Sequence, residues 1–171
     1  CEQGYYQDSS GAITCKACGA ANKYRGSSPN GAPICLFVTA GWYSHGGTPT
    51  TRVGEVICPP GHYCVNGEKK ECGAGKYQDA SGATSCKDTQ ATHYSFGATL
   101  ATGTSENVCD AGHYCLNGVR IPCSAGTFEG STGQLSCSGS CTVGMSSPMG
   151  SLSSAACSQC PAGRTSAGGQ A

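Results

Sequence analysis

The sequence predicts small disulfide-rich repeats: mostly short antiparallel strands and loops in an elongated array, with very little helix. Three observations lead there. Fifteen cysteines fall at regular spacings, with Cys1 to Cys15, Cys72 to Cys86 and Cys123 to Cys137 each fourteen positions apart. The pattern recurs every 51 residues, laying Cys58, Cys64, Cys72 and Cys86 over Cys109, Cys115, Cys123 and Cys137. An internal period of this kind is the mark of an array of units. Leu, Ile, Val and Phe supply only about a ninth of the 171 residues, too few for one packed core.

The register extends past the cysteines. Gly61-His62-Tyr63 falls on Gly112-His113-Tyr114, Asn66-Gly67 on Asn117-Gly118, Tyr43-Ser44 on Tyr94-Ser95, and Glu55 on Glu106. Each loop opens with Cys-x-x-Gly-x-aromatic, at Cys1 to Tyr6, Cys58 to Tyr63, Cys72 to Tyr77, Cys109 to Tyr114 and Cys123 to Phe128. The glycine lets the backbone turn with positive φ, and the aromatic residue lies across the bridge as a miniature core. A second glycine, Gly11, Gly82 or Gly133, stands four residues before the closing cysteine. Two short extended segments joined by a polar turn, with one bridge per loop, are the expected local structure. The chain divides accordingly into residues 1–38, with an irregular insertion from about Gly19 to Val38, the repeats 39–86 and 87–137, and a further repeat, 138–171, cut short at its C-terminus.

Cysteine at this density replaces buried area by covalent staples, and closing a loop of about fifteen residues is worth about 3 kcal/mol in the chain-entropy model. Such a scaffold needs an oxidising compartment, so the chain is expected to be extracellular, secreted or on a cell-surface appendage. Cys1 opens a repeat with no leader ahead of it, as in a mature piece or an excerpt. The most apolar run, Ile34 to Val38, is far too short to span a membrane. Ten Lys and Arg balance ten Asp and Glu, with Lys69-Lys70 the one basic pair, which argues against a nucleic-acid partner.

Cys-x-x-Gly-x-aromatic with a second cysteine at fourteen resembles the first module of tumour-necrosis-factor-receptor repeats and, more closely, the ephrin-receptor-like cysteine-rich repeat. Ser81-Gly82-Ala83-Thr84-Ser85-Cys86 carries the likeness best. It covers most of the chain, and it departs from epidermal-growth-factor modules, whose Cys-x-Cys is absent. The resemblance implies an extracellular spacer, binding surface or building block, as in receptor ectodomains and protist surface or filament proteins.

Pairing neighbours in order gives Cys1–Cys15, Cys18–Cys35, Cys58–Cys64, Cys72–Cys86, Cys109–Cys115, Cys123–Cys137 and Cys141–Cys157. The spacing also permits Cys58 with Cys72 and Cys64 with Cys86. Cys160 is left over, and its partner by the same rule falls about three residues past Ala171. Cys137, Cys141, Cys157 and Cys160 have zinc-ribbon spacing, but the first belongs to Cys123. Cys15-x2-Cys18 and Cys157-x2-Cys160 lack the helix start of a redox motif. His62 and His113 read as turn residues beside a bridge. No metal or other cofactor is expected, and with the cysteines committed and no nucleophile motif, no enzyme.

Two functions remain. The first is a structural, disulfide-stapled protein that builds an extracellular filament, coat or flagellar hair from copies of itself or other extracellular proteins. The second is a receptor or adhesion ectodomain. Phe37, Trp42 and Tyr43 are the candidate interface in either. The tracts Thr48-Pro49-Thr50-Thr51 and Ser146-Ser147-Pro148 suit O-glycans, and no Asn-x-Ser/Thr sequon occurs.

Overall fold

A computed structural model describes residues 1–166 apart from 3, 8, 10, 11, 21, 28–32, 163 and 165. Gln3 and Gly11, assigned above to an opener and a turn, lie outside the described residues, as does Gly163 in the further opener Cys160-Pro161-Ala162-Gly163. The fold is a small, disulfide-rich assembly of short antiparallel strand pairs and loops. Among the described residues the one helical feature is a 3-10 turn, Ser154–Ala156.

Two compact units share the chain, Cys1–Cys72 with Gln78–Lys87, and Gly73–Tyr77 with Asp88–Ala171. In the first, β1 (Tyr5–Tyr6) pairs with β2 (Lys16–Ala17), β3 (Lys23–Ser27) with β4 (Pro33–Phe37), β5 (Trp42–His45) with β6 (Gly54–Ile57), and β7 (His62–Val65) with β8 (Glu68–Glu71). The chain then enters the second unit at β9 (Lys76–Tyr77) and again through β10 (Lys87–Asp88). There β11 (His93–Gly97) pairs with β12 (Gly103–Val108), and Gly103 of β12 meets Tyr77 of β9 in parallel. The hairpin of β13 (His113–Leu116) and β14 (Val119–Pro122) follows. Last come β15 (Thr127–Phe128) with β16 (Gly139–Ser140), and β17 (Met145–Ser146) with β18 (Ser158–Gln159).

The segment that reads in sequence as an irregular insertion holds a regular ladder. Lys23 to Ser27 face Phe37 to Pro33 in five consecutive pairs. Tyr24, Ile34 and Phe37 are the β-favouring residues that support it, and the Cys18–Cys35 bridge ties β4 to the approach to β3.

Seven disulfides join Cys1–Cys15, Cys18–Cys35, Cys58–Cys64, Cys72–Cys86, Cys109–Cys115, Cys123–Cys137 and Cys141–Cys157. Of the two arrangements open for Cys58, the bridge runs to Cys64. Every buried hydrophobic residue among those described is a cysteine, with Cys58, Cys109, Cys115 and Cys123 all at 0% exposure. The opener aromatics Tyr63, Tyr77, Tyr114 and Phe128 are only half-buried. Bridged cysteine, rather than the ring laid over it, fills the centre of each loop.

Backbone bonds repeat with the cysteines. Cys58 N–H donates to Gly41 O at 2.9 Å and Cys109 to Thr92 O at 2.9 Å, while Ser44 donates to Gly67 O and Ser95 to Gly118 O, each at 2.9 Å. Asn66-Gly67 and Asn117-Gly118 make the tight turns of the two hairpins, with φ of 52° and 75° in one and 52° and 73° in the other. Positive φ at both central residues is the type I′ geometry that matches strand twist, and Asn-Gly is its favoured sequence.

Gly41 (φ +80°) shows why glycine is required at one crossing: a Cβ there would sit 2.0 Å from Gly82 O. Gly73 has the same backbone (φ +82°) with nothing within 4 Å. Gly73→Ala is therefore expected to cost the strain alone, about 1–2 kcal/mol, and Gly41→Ala clearly more than that. Denaturant melts of the two variants giving equal losses would show that the close approach contributes nothing.

Candidate functional site

The candidate interface residues do not share one face. Trp42 and Tyr43 are neighbours on β5, opposite Ile57 and Val56, and strand alternation sends them to opposite sides. Phe37 and Trp42 line an open groove of about 330 Å³ with Val38, Val65, Asn66 and Thr84. Phe37 is exposed, with the Lys23 ammonium 4.8 Å from its ring centre, while Trp42 is half-buried. Tyr43 belongs to a second groove of about 480 Å³, where Lys69 Nζ lies 5.2 Å from its ring and His45, Pro49 and Arg52 complete the wall.

Both grooves recur 51 residues on. The counterpart of the first is lined by Asp88, Thr89, Gln90, Leu116, Asn117 and Leu135. That of the second is lined by Tyr94, Phe96, Leu100, Val119 and Arg120, and the guanidinium of Arg120 lies 5.0 Å from the Tyr94 ring. A cation over an aromatic face is worth about 0.5–1 kcal/mol when exposed, so each pair orders a side chain more than it stabilises the fold. Backbone geometry is thus kept between repeats while the lining changes. Phe37 gives way to Asp88, Thr84 to Leu135, and His45 and Pro49 to Phe96 and Leu100, while Trp42 has no counterpart in the second lining.

Carboxylates and amides hold the walls. Glu55 accepts from the Thr39 amide at 2.7 Å and its hydroxyl at 2.9 Å, and Glu106 accepts from the Gln90 amide at 2.8 Å and its side-chain nitrogen at 3.0 Å. The Gln90 amide holds the Glu106 carboxyl below the usual carboxylate range. Gln78 and Glu129 close the fourteen-residue loops from inside. Gln78 accepts from Ala80 N–H and donates to Ser85 O, at 3.0 and 2.8 Å. Glu129, 4% exposed, accepts from the Ser138 hydroxyl at 2.6 Å and from the amides of Ser131 and Ser138 at 2.9 and 3.1 Å. Those bonds, the Ser138 hydroxyl first, hold its carboxyl below the usual range.

His62 and His113 sit in their turns, Nδ1–H donating to Pro60 O at 3.2 Å and to Ala111 O at 3.3 Å. Of the four cysteines with zinc-ribbon spacing, Cys137, Cys141 and Cys157 are in bridges and Cys160 is the free thiol. In the tracts read as glycan acceptors, Thr51 and Ser147 are buried, and the Ser147 hydroxyl donates to Thr127 O. Thr48 and Thr50 remain exposed. No helix among the described residues is long and apolar enough to cross a membrane.

Sequence reasoning missed the second groove, although the Tyr43/Tyr94 and Lys69/Arg120 matches at one offset were visible. It also missed an opener without its aromatic residue, Cys141-Thr142-Val143-Gly144, whose glycine has φ +83°. Neither a protein-family model nor a curated protein matches the sequence. Seven bridges in 171 residues fit an extracellular or secreted protein.

Glu129 supplies a pH test. A folded-state pKa below the ordinary value of about 4.3 adds stability that is present above that pH and is lost as pH falls through the folded value. Glu129→Gln, which copies Gln78, is expected to flatten the fall of stability as pH drops below the ordinary glutamate range, relative to the parent. Stability that falls in parallel for the two proteins as pH is lowered would contradict the assignment.

Proposed function

We propose that this chain is a structural, disulfide-stapled repeat protein that builds an extracellular filament or surface appendage, such as a flagellar hair or coat. The observation that carries the reading is the inversion of its apolar residues. Bridged cysteines occupy the interior, while Phe37, Phe96, Leu100, Leu116, Leu135, Val143, Met149 and Leu152 are exposed. Apolar surface that a unit does not bury in itself is available to neighbours. A unit repeated at fixed period keeps its backbone geometry at each step, and heterologous contacts between copies of the chain that do not close give an open filament. The ephrin-receptor-like resemblance of the loops agrees with an extracellular building block.

A receptor or adhesion ectodomain is the second reading, and one observation favours it. Phe37 and Trp42 make an aromatic groove in one repeat only, as a dedicated binding face would. Sedimentation of the purified chain over a wide concentration range, with electron microscopy of the concentrated sample, separates the two. Concentration-dependent growth into filaments, reduced severalfold by Trp42→Ala, supports the structural reading. A monomer at all concentrations, in which Trp42→Ala abolishes capture of a separate protein ligand, replaces it with the receptor reading.

A further inference from the structure

The groove beside Tyr43 and its counterpart 51 residues on share a backbone and differ in charge. The counterpart is lined by Phe96, Leu100 and Val119, and its one cation, Arg120, is tied to the Asp110 carboxylate. In the earlier repeat those positions hold His45, Pro49, Glu68 and Lys69, and Pro59 stands where Asp110 would be. Arg52 joins the lining from the position that Gly103 fills in the later repeat. No Leu, Ile, Val, Met or Phe is left in the wall.

Neither cation of this groove is neutralised by the chain. Lys69 Nζ lies 5.2 Å from the Tyr43 ring centre, a contact that orients the ammonium and leaves its charge in place. Among the described residues Lys69 forms no ion pair, and the one carboxylate of the lining, Glu68, lies 3.5 Å from Lys70 instead. Arg52 is bonded more sparsely still. Its Nη1 donates to Gly46 O over a long 3.4 Å, and its Nε is buried with no partner. A guanidinium carries five N–H donors, and withdrawing it from water with so few of them used is unfavourable. An anion in the groove offsets that charge at the terminal nitrogens without having to reach Nε. Arg25 N–H donates to Arg52 O at 2.8 Å, so β3 fixes the backbone that presents the guanidinium.

We propose that this groove binds the oxyanion of an acidic polysaccharide, a sulfate ester or a uronate carboxylate, between the Arg52 guanidinium and the Lys69 ammonium, with the His45 ring as a further donor. At about 480 Å³ it falls within the range of small-ligand clefts, about 300–1,000 Å³. An acidic peptide needs a seat for an apolar anchor as well, and this wall has none. A sugar ring that carries an oxyanion asks for charge and hydrogen-bond donors, which is what the wall supplies. The counterpart groove, apolar and with its cation committed to Asp110, does not share the site. The inference does not rest on the filament reading, because a receptor ectodomain presents the same groove.

The test is calorimetric titration of the intact chain with a dextran sulfate oligosaccharide, a polygalacturonate oligosaccharide and neutral dextran. At least one acidic sugar is expected to bind, less tightly as salt is raised, and neutral dextran is not; the tighter of the two acidic sugars identifies the oxyanion. Arg52→Gln is expected to weaken that binding about tenfold, as loss of a charge-assisted hydrogen bond does, and Lys69→Gln severalfold. Lys23→Gln removes a cation of the same kind from over Phe37 and is expected to leave the affinity unchanged. Absence of binding by both acidic sugars at millimolar concentration, equal losses from Lys23→Gln and Lys69→Gln, or tighter binding of an oligoglutamate peptide overturns the proposal. If Arg52→Gln fails to form its bridges, the comparison of Lys69→Gln with Lys23→Gln decides alone.

Discussion

A disulfide buried at zero exposure is the element on which the rest of this structure leans. Cys58–Cys64 and Cys109–Cys115 close loops of only six residues, yet each is wrapped by backbone that donates to and accepts from the bridged residues themselves. Cys58 donates to Gly41 O, accepts from Gly82 N–H, and its partner Cys64 donates to Ala83 O. One bridge therefore fixes the hairpin before it, the turn within it and the loop after it. In a chain with so few branched aliphatic residues, no hydrophobic layer is available to do this. The entropy removed from the unfolded chain and the backbone bonds centred on sulfur take its place.

That dependence explains the glycines. Backbone has to approach backbone where no side-chain layer separates segments, and a Cβ at Gly75 would lie 2.0 Å from Asn117 O, as one at Gly41 would from Gly82 O. It also explains the charged strand β8. Glu68, Lys69, Lys70 and Glu71 are all exposed, and a two-stranded sheet with a bare apolar edge invites pairing with other chains. Ionic side chains and Pro122 on β14 make these strands poor templates for edge addition, which leaves side-chain contact as the route by which such units meet partners.

Spacing made the bridges, the repeat and the low helix content legible in the sequence, because cysteine and Asn-Gly positions act through local geometry that a ruler can follow. The grooves were not legible in the same way. Phe37, Val65 and Thr84 come from three segments, and no local pattern says that they converge. Tyr43 was grouped with Trp42 because they adjoin in sequence, but alternation on β5 separates them. The ladder of Lys23 to Phe37 was hidden for a different reason: it breaks the period, and a segment outside the period carries no second copy against which to read it.

The repeats show how a scaffold held by backbone and sulfur sets its side chains free to change. Gln78 and Glu129 do the same work in their loops with different chemistry, one neutral and one a carboxylate accepting three hydrogen bonds. Lys69 and Arg120 hold the same place over Tyr43 and Tyr94, yet only Arg120 is also tied to a carboxylate, that of Asp110. Because no hydrophobic core has to be repacked when a groove residue changes, the lining can shift from Phe37 and Thr84 to Asp88 and Leu135 without disturbing the bonds at Cys64 or Cys115. A fold of this construction separates the residues that hold it together from those that meet a partner. The same separation leaves the grooves open to partners while the bridges beneath the two hairpins stay shut.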